Sequence, residues 1–577
     1  MKNKTLKICF FILILIILNT ILLAPMKKAG WWRNHEHHTY VIRLIAFQEA
    51  LNEHGSPRWI GNMCAHRGSP MFTFYAPGLF YASTFFAKLG INEYDCLQLS
   101  ILFFRFLGAT AIFLFLFYAG FNIPSSFLGS LLFSIFPYQC TNIFVRGAFA
   151  EFAAMNTLPL VALFLLLTIK KDRRWAIGLI PSVAAVIFIH NITAMLAAFF
   201  CSGLILIWLP LAFRHKIIVK RFLALFAGAI LGIGVSAFFW FPAISLKKYV
   251  NINIMYNPDF LSRYSRFLKI KDLFVRGEYF GMDFHFPLIF LFLLGVSIYC
   301  YFKIKRDNRS SNITSSEKDI FASKWWYAGA FIMSVITLCT SLRLTRIMFH
   351  IIPYLYHAQF PYRIFSILTS MTAIGAAHGI HHISRGIKFN KSALLAMAAL
   401  SFIMVDFGLA EVRLFKDERK NLESIKNEFD KSYVDTVSLN EYTPACIDPD
   451  EARKVKMPPK GSEVTAGENK KIKVNGYTMK SGLIKFNVTS SKEVTLDIPH
   501  YWFPGWKAYM GEKELELTQN KNTGEMTLDF PGGKNVPITI RFADSEPVKK
   551  GKAISLASLI LSGIWILSIV LTRKRQL

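Results

Sequence analysis

The sequence is poor in charge, poor in acid and poor in cysteine. Charged residues fill 18% of its 577 positions, where a soluble chain carries about a quarter. That shortfall excludes a large soluble enzyme, and the high apolar content excludes a disordered chain. Its eight cysteines are scattered singly between Cys9 and Cys446, with no C-x-x-C pair. They are too dilute for a disulfide scaffold and lack zinc-site spacing; no pairing is assigned among Cys64, Cys96 and Cys140. A glycine-rich phosphate loop of the Walker or Rossmann kind is missing too, which argues against nucleotide chemistry.

What the chain has instead is apolar surface: 53% hydrophobic residues, 15% aromatics, 54 phenylalanines and a mean hydropathy of +0.36. Its apolar runs approach twenty residues, enough to cross about 30 Å of hydrocarbon as helix, and lack the alternation of a membrane barrel. The expected fold is therefore a polytopic α-helical membrane protein. About twelve spans can be read: 7–24, 98–119, 124–138, 152–169, 175–190, 192–213, 222–243, 286–303, 327–342, 363–382, 391–410 and 552–572. The stretch 175–213 is about twice a span, so it is read as two helices with a tight turn at His190-Asn191.

The 66 Lys and Arg outnumber the 37 Asp and Glu, but their placement argues against a nucleic-acid partner. They cluster between apolar runs, at Lys2, Lys4 and Lys7, at Lys170 to Arg174, at Arg214 to Arg221, at Lys303 to Arg309, at Arg385 to Lys391 and at Arg573 to Arg575. A cytoplasmic N-terminus with alternating spans puts all of these clusters on the cytoplasmic side, as the positive-inside rule requires. The C-terminus then ends in the cytoplasm as well. Leu22-Leu23-Ala24-Pro25 is a poor cleavage site, so the first run is read as a retained span rather than a signal peptide.

The same topology leaves a long first outer loop (25–97) and an extracytoplasmic stretch from 411 to 551, followed by a last span and basic tail (552–577). Within 411–551, short alternating segments such as Gly482–Val488, Val494–Ile498 and Val536–Phe542 are separated by turn residues, the pattern of an antiparallel β-sandwich or jelly roll. The aromatic run Tyr501 to Trp506 suits either core packing or a sugar-stacking platform.

Chemistry-bearing residues concentrate on the outer side. In the first loop Glu36 stands among His35, His37 and His38, ahead of Arg43, Arg58, Trp59, Arg67 and Tyr75. A carboxylate among imidazoles can act as a general base or help hold a divalent metal, the one cofactor this pattern leaves open; a solvated polar loop is the plainer reading. A second constellation is Tyr138, Asn142, Arg146, Gly147 and Glu151, whose Arg and Glu could serve a site or simply pair. His190-Asn191 is a polar pair amid apolar sequence, and Gln359-Phe360-Pro361-Tyr362-Arg363 opens a span. Arg363 could grip a phosphate bidentately or merely snorkel. The coincidence of Arg58, Arg67, Arg146 and Arg363 with Glu36 and Glu151 on one side suits an amphiphilic phosphate, such as a lipid-linked sugar.

These motifs together resemble a known family. His35-Glu36 with His38 and Arg43, Pro57-Arg58-Trp59, Pro70-x-Phe72-x-Phe74-Tyr75-x-Pro77, Tyr138 to Glu151, His190-Asn191, Phe239 to Ala243, Gln359 to Arg363, Glu441-Tyr442-x-Pro444 and Phe503 to Trp506 are similar to motifs of bacterial 6-pyruvoyl-tetrahydropterin-synthase-related membrane proteins. Those proteins resemble YfhO-like proteins and the GT-C glycosyltransferase superfamily; no pterin chemistry is visible. Three positions depart from the pattern: Glu36 stands where Asp is commoner, His66 to Ser69 replace a Gly-Tyr-Gly-rich run, and Asn142 occupies an acidic place.

The resemblance implies a GT-C-like transmembrane domain over 1–410, in the bacterial inner membrane, with a polyprenyl-phosphate sugar as donor and an envelope lipid, glycan or protein as acceptor. It implies Glu36 as the catalytic carboxylate and one or more of Arg58, Arg146 and Arg363 for the lipid phosphate; Glu151 joins as a second candidate carboxylate and Arg67 as a further candidate for the phosphate, from their place on the same face. His35, His38, Arg43, Trp59, Tyr75, Tyr138, His190, Asn191 and Gln359 would contact substrate. Two rival functions stay open, a lipid-linked glycan transporter and a non-catalytic envelope assembly protein.

Overall fold

The computed structural model describes residues 2–27, 34–36, 38–212, 216–256, 267–270, 335–336, 338–384, 422–425, 441–448, 464–466 and 472–574. In chain order the helices are α1 (Lys2–Leu22), α2 (Thr39–His54), α3 (Met71–Phe74), α4 (Gly78–Ala87), α5 (Glu93–Ala119), α6 (Ile123–Ile135), α7 (Pro137–Cys140), α8 (Phe149–Lys170), α9 (Leu179–Ile189), α10 (Asn191–Ala212), α11 (Lys216–Val235), α12 (Ala237–Leu246), α13 (Ile347–Ile351), α14 (Phe365–Ser384) and α15 (Glu546–Lys574).

Among the described residues, four helices are long and apolar enough to cross a membrane: Thr5–Leu22, Glu93–Ala119, Phe149–Lys170 and Glu546–Thr572. They fall on the spans expected at 7–24, 98–119, 152–169 and 552–572. Two more expected spans are bent. The run expected at 124–138 turns by 45° between Ile123–Ile135 and Pro137–Val145, because Pro137 has no N–H for the Phe133 carbonyl; the Phe136 N–H takes that carbonyl at 3.4 Å instead. The run expected at 222–243 turns by 64° between Val219–Val235 and Ala237–Tyr249. There the Ser236 hydroxyl and the Trp240 indole both donate to the Ile233 carbonyl, taking the place of a helical N–H. The expected pair 175–213 does separate at His190, but α9 has only 11 residues, shorter than a span needs. The spans expected at 286–303 and 391–410, and most of 327–342, lie outside the described residues.

Among the described residues, the first outer loop carries three helices, α2, α3 and α4. Its apolar run makes α2 a buried helix from Tyr40 to Phe47, while α3 and the first residues of α4 are buried as well. Arg105 is fully buried on α5, where its guanidinium donates to Asn19 Oδ1 and the Ser134 carbonyl.

Among the described residues nine strands follow: β1 (Thr465–Ala466), β2 (Lys473–Lys480), β3 (Leu483–Ser490), β4 (Val494–Tyr501), β5 (Trp506–Met510), β6 (Lys513–Leu515), β7 (Leu517–Gln519), β8 (Glu525–Phe530) and β9 (Gly533–Phe542). They form two antiparallel sheets, ordered β1-β4-β8-β7 and β2-β3-β9-β5-β6. Alternate residues such as Ile484, Phe486, Leu496, Ile498, Leu528 and Ile540 are buried, as period-two strands with one covered face demand. Tyr501, Phe503 and Trp506 are buried too, so most of the aromatic run packs in the core.

The sheets dock on the first loop through Trp59. Its ring is fully buried, lies 5.3–6.2 Å from Trp506, Phe542 and Phe503, and its indole N–H donates to His500 Nε2 at 2.9 Å. Arg67 pairs with Glu525 at 2.7 Å, and the Tyr501 N–H donates to the Arg67 carbonyl at 2.7 Å. The Ser481 N–H donates to Glu53 Oε2 at 2.7 Å. Just before Arg67, the non-glycine residues Cys64, Ala65 and His66 all have positive φ, at 52°, 52° and 60°, a left-handed turn that isolated chains avoid. Among the described residues, Cys64, Cys96 and Cys140 form no disulfide.

Candidate functional site

The chain from Tyr138 to Glu151 builds the centre of the site. Pro137 opens α7, a π-helical turn (Thr141–Val145) carries Asn142, and Gly147, at φ 69°, reverses the backbone before α8. Arg146 and Glu151 therefore do not share a helical edge; the turn folds Arg146 back over the first turn of α8. Glu151 is the third residue of that helix, where a carboxylate also meets the positive end of the helix dipole.

Glu151 is 1% exposed and surrounded by donors. Its Oε1 accepts from the Tyr138 hydroxyl at 2.6 Å and from the Ser366 hydroxyl at 3.1 Å. Its Oε2 accepts from Arg146 Nη1 at 3.0 Å and lies 3.1 Å from Arg363 Nε. Arg146 also donates to Tyr138 Oη at 2.9 Å and to Asn142 Oδ1, and its guanidinium lies 5.2 Å from the centre of the Tyr362 ring. Burial alone would lower the Arg146 pKa, but the Glu151 charge, followed by Tyr138 and Tyr362, holds it above its ordinary value.

Arg363 enters from the other side, on a 3-10 turn (Pro361–Ile364) that leads into α14. Gln359 makes the approach: at φ 61°, ψ −51° it centres a γ-turn closed by the Phe360 N–H on the Ala358 carbonyl at 2.7 Å. Its side-chain Oε1 and the Ala358 carbonyl both accept from Arg363 Nη1. Gln359 thus holds Arg363.

A second layer comes from the first loop. Glu36 Oε2 lies 3.9 Å from Arg43 Nη1, with side-chain exposures of 38% for the acid and 6% for the base. The Arg43 guanidinium lies 4.9 Å from the centre of the Tyr75 ring and 5.8 Å from that of Tyr40. Tyr40 and Tyr75 share a 2.7 Å hydrogen bond, and Tyr40 Oη accepts from the Ala150 N–H, one residue before Glu151. Burial would also lower the Arg43 pKa, yet Tyr75, Glu36 and Tyr40 raise it above the usual value. The His35 N–H donates to the Val145 carbonyl at 2.9 Å, tying the Glu36 segment to the Arg146 turn.

Of the expected site residues, Glu36, Arg43, Tyr75, Tyr138, Arg146, Glu151, Gln359 and Arg363 thus form one linked cluster. His35 is exposed beside it, and the carbonyl of His38 begins α2 by accepting from Val41 and Ile42. His190 lies within electrostatic range of Glu151, and its Nδ1 accepts from the Thr193 N–H at 3.2 Å to cap α10. Asn191 is exposed and accepts from its neighbour Ile192.

Three expected residues lie elsewhere. Trp59 and Arg67 are in the sheet interface described above. Arg58 donates to the Phe238 carbonyl at 2.6 Å, the very carbonyl that Pro242 cannot serve in α12. Among the described residues no group of three His, Cys, Asp or Glu side chains is arranged to hold a metal ion; His37 lies outside them. The structure adds Tyr40, Tyr362 and Ser366 to the cluster. Tyr362 lay within a recognised motif and Ser366 one turn beyond Arg363, whereas Tyr40 looked like any aromatic of an apolar run.

No curated protein matches the chain. Among solved structures it is similar to the arabinofuranosyltransferase AftD from Mycobacteria, at 14% identity and a TM-score of 0.44, over 70% of this chain and 26% of that one. Two structures of a mutant of the same protein match at 13% and 15% identity with TM-scores of 0.41 and 0.37, covering 70% and 73% of this chain and 28% and 30% of theirs. The chain thus spans less than a third of the length of those structures. Its residues 72–411, more than half of the sequence, match the model of the 6-pyruvoyl-tetrahydropterin synthase related domain, and the chain belongs to that family of membrane proteins.

Proposed function

We propose that this protein is a membrane glycosyltransferase that moves a sugar from a polyprenyl-phosphate donor to an envelope acceptor at the outer face of the inner membrane. The observation that supports it is the charge balance of the cluster. Three guanidiniums, Arg43, Arg146 and Arg363, stand against two carboxylates, Glu36 and Glu151. Among the described residues, Arg146 and Arg363 share the single buried carboxylate of Glu151, and a second buried positive charge calls for a further anion. A lipid phosphate entering from the membrane would supply it, held by Arg363 and Arg146.

The two carboxylates then have different roles. Glu151, buried, accepting three hydrogen bonds and ion-paired to two arginines, is a positioning residue that holds Arg146 and Arg363 in register. Glu36, more accessible and more loosely paired, is the base. In the reaction the acceptor oxygen attacks the anomeric carbon, Glu36 takes the hydroxyl proton, and the bond from that carbon to the phosphate oxygen breaks. The phosphate leaves with its electron pair toward the arginines, and the anomeric centre inverts. Stabilising charge where it develops is the largest lever such a site has, with general-base help worth about 10²–10⁴-fold. Residues 1–410 would form the transferase domain, 411–551 an extracytoplasmic cover that helps select the acceptor, and 552–577 the closing anchor, with both termini cytoplasmic.

The test is transfer by the purified, lipid-reconstituted protein from a radiolabelled undecaprenyl-phosphoryl sugar. Glu36→Gln should lose at least 100-fold in transfer while binding undecaprenyl phosphate as before. Full transfer by that variant would remove Glu36 as the base; no transfer from any such donor by the wild type would remove the proposal.

A further inference from the structure

Asn34 stands immediately before His35-Glu36 and is 2% exposed, yet among the described residues neither its Oδ1 nor its Nδ2 has a hydrogen-bond partner. Buried amides are rarely left so. Two contacts hold it: the His35 N–H donates to the Val145 carbonyl, and the Asn34 amide lies against Gly147. A Cβ on Gly147 would sit 2.4 Å from Asn34 Oδ1, so the space exists only because that residue is glycine, at φ 69°. The same turn carries a second orphan. Asn142 is fully buried, its Oδ1 accepts from Arg146, and its Nδ2 has no partner among the described residues.

The chemistry of the missing ligand follows from which atoms are unsatisfied. A phosphate ester offers acceptors, so it could meet the two Nδ2 donors but would face Asn34 Oδ1 as one acceptor against another. A hydroxyl both donates and accepts, and adjacent hydroxyls on a sugar ring can satisfy both atoms of one amide. Exchanging the oxygen and nitrogen of Asn34 changes nothing, since both are unpartnered. We propose that Asn34, seated against Gly147 beside Glu36, reads a hydroxyl of the transferred sugar, with Asn142 Nδ2 donating to a second oxygen. This rests on the glycosyl-transfer reading above and adds to it a specificity-determining residue.

The experiment compares two kinds of probe on the full-length protein: farnesyl phosphate alone, and farnesyl phosphate carrying glucose, mannose or arabinose. Wild-type protein should bind at least one glycosylated probe 10-fold or more tighter than the bare phosphate. Asn34→Leu, similar in size but without polar atoms, should erase that preference, leave farnesyl phosphate affinity unchanged, and keep or raise the melting temperature, because it removes orphaned polar atoms. Should Asn34→Leu fail to fold, Asn34→Asp serves, keeping acceptors and losing the donor; it too should lose the preference. Equal loss for both probes, or a lowered melting temperature with the preference intact, would mean a structural amide or one satisfied by buried water, and would overturn the assignment. Wild-type binding of farnesyl phosphate with no preference for any sugar would overturn it while sparing the phosphate site. Binding of neither probe would bring down the glycosyl-transfer reading itself.

Discussion

Glu151→Gln is the sharpest test of how the cluster holds together. Glutamine keeps an oxygen for the hydroxyls of Tyr138 and Ser366, which meet Oε1 in the wild type. At Oε2 it would place an NH2 against Arg146 Nη1 and Arg363 Nε, now 3.0 and 3.1 Å away, so donors would face donors. The charge that balances two largely buried guanidiniums would be lost as well. Removing one partner of a buried ion pair costs about 3–5 kcal/mol, and serving two cations puts this residue toward the upper end. At about 1.4 kcal/mol per factor of ten, the folding equilibrium should fall by roughly 10³-fold or more. Equilibrium unfolding in mixed micelles, followed by tryptophan fluorescence, measures it. Arg363→Met in the Glu151→Gln background should recover part of the loss, a coupling of about 1–3 kcal/mol in a double-mutant cycle. A Glu151→Gln variant within about 0.5 kcal/mol of wild type, or strictly additive changes, would show that these charges are not balanced by each other and would refute the reasoning.

Two other predictions concern the docking of the sheets. Gly68 has φ +83° and a Cβ there would lie 2.4 Å from Trp59 Cζ2, so Gly68→Ala should displace the indole and expose residues 60–68 to limited proteolysis; an unchanged cleavage pattern would count against Trp59 as the anchor. His500 is buried, and burial pushes its pKa down to about 3, so between pH 6.5 and 3 the unfolded chain binds a proton that the folded chain refuses. Stability should therefore fall as pH drops below 6.5, by about 2 kcal/mol at pH 5, and His500→Asn should flatten that slope in denaturant titrations at pH 7 and pH 5.

Much of this was legible in the sequence, and the exceptions have physical causes. Long apolar helices announce themselves by length, and α5, α8 and α15 lie where the apolar runs place them. The bends do not, since a proline such as Pro137 stops a helix without saying which way the chain turns. Strands β3, β4 and β9 follow their alternation, but β5 starts inside an aromatic cluster where period two is hidden. At the site, charge on one side of the membrane pointed to Glu36, Arg146, Glu151 and Arg363. It could not separate them from Arg58 and Arg67, because the carbonyl that Arg58 serves is 180 residues away and the partner of Arg67 is 458 away. Asn34 carried no sequence signal at all; only packing reveals that its amide is both buried and unserved.

Those last observations bear on why such a cluster persists. A fold optimised for stability alone would replace an orphaned amide by an apolar residue and would not bury two arginines around one acid. Here the costs sit side by side: the Asn34 amide, the Asn142 donor, the γ-turn at Gln359 and the two guanidiniums that share Glu151 all belong to the cluster around Glu36 and Glu151. Strain and unsatisfied groups gathered in one place are what a site retains when a ligand completes it. An anion would relieve the charge, and a hydroxyl-bearing group the amide. A glycosyl phosphate carries both on adjacent atoms, so a single ligand can settle imbalances that would otherwise need separate explanations.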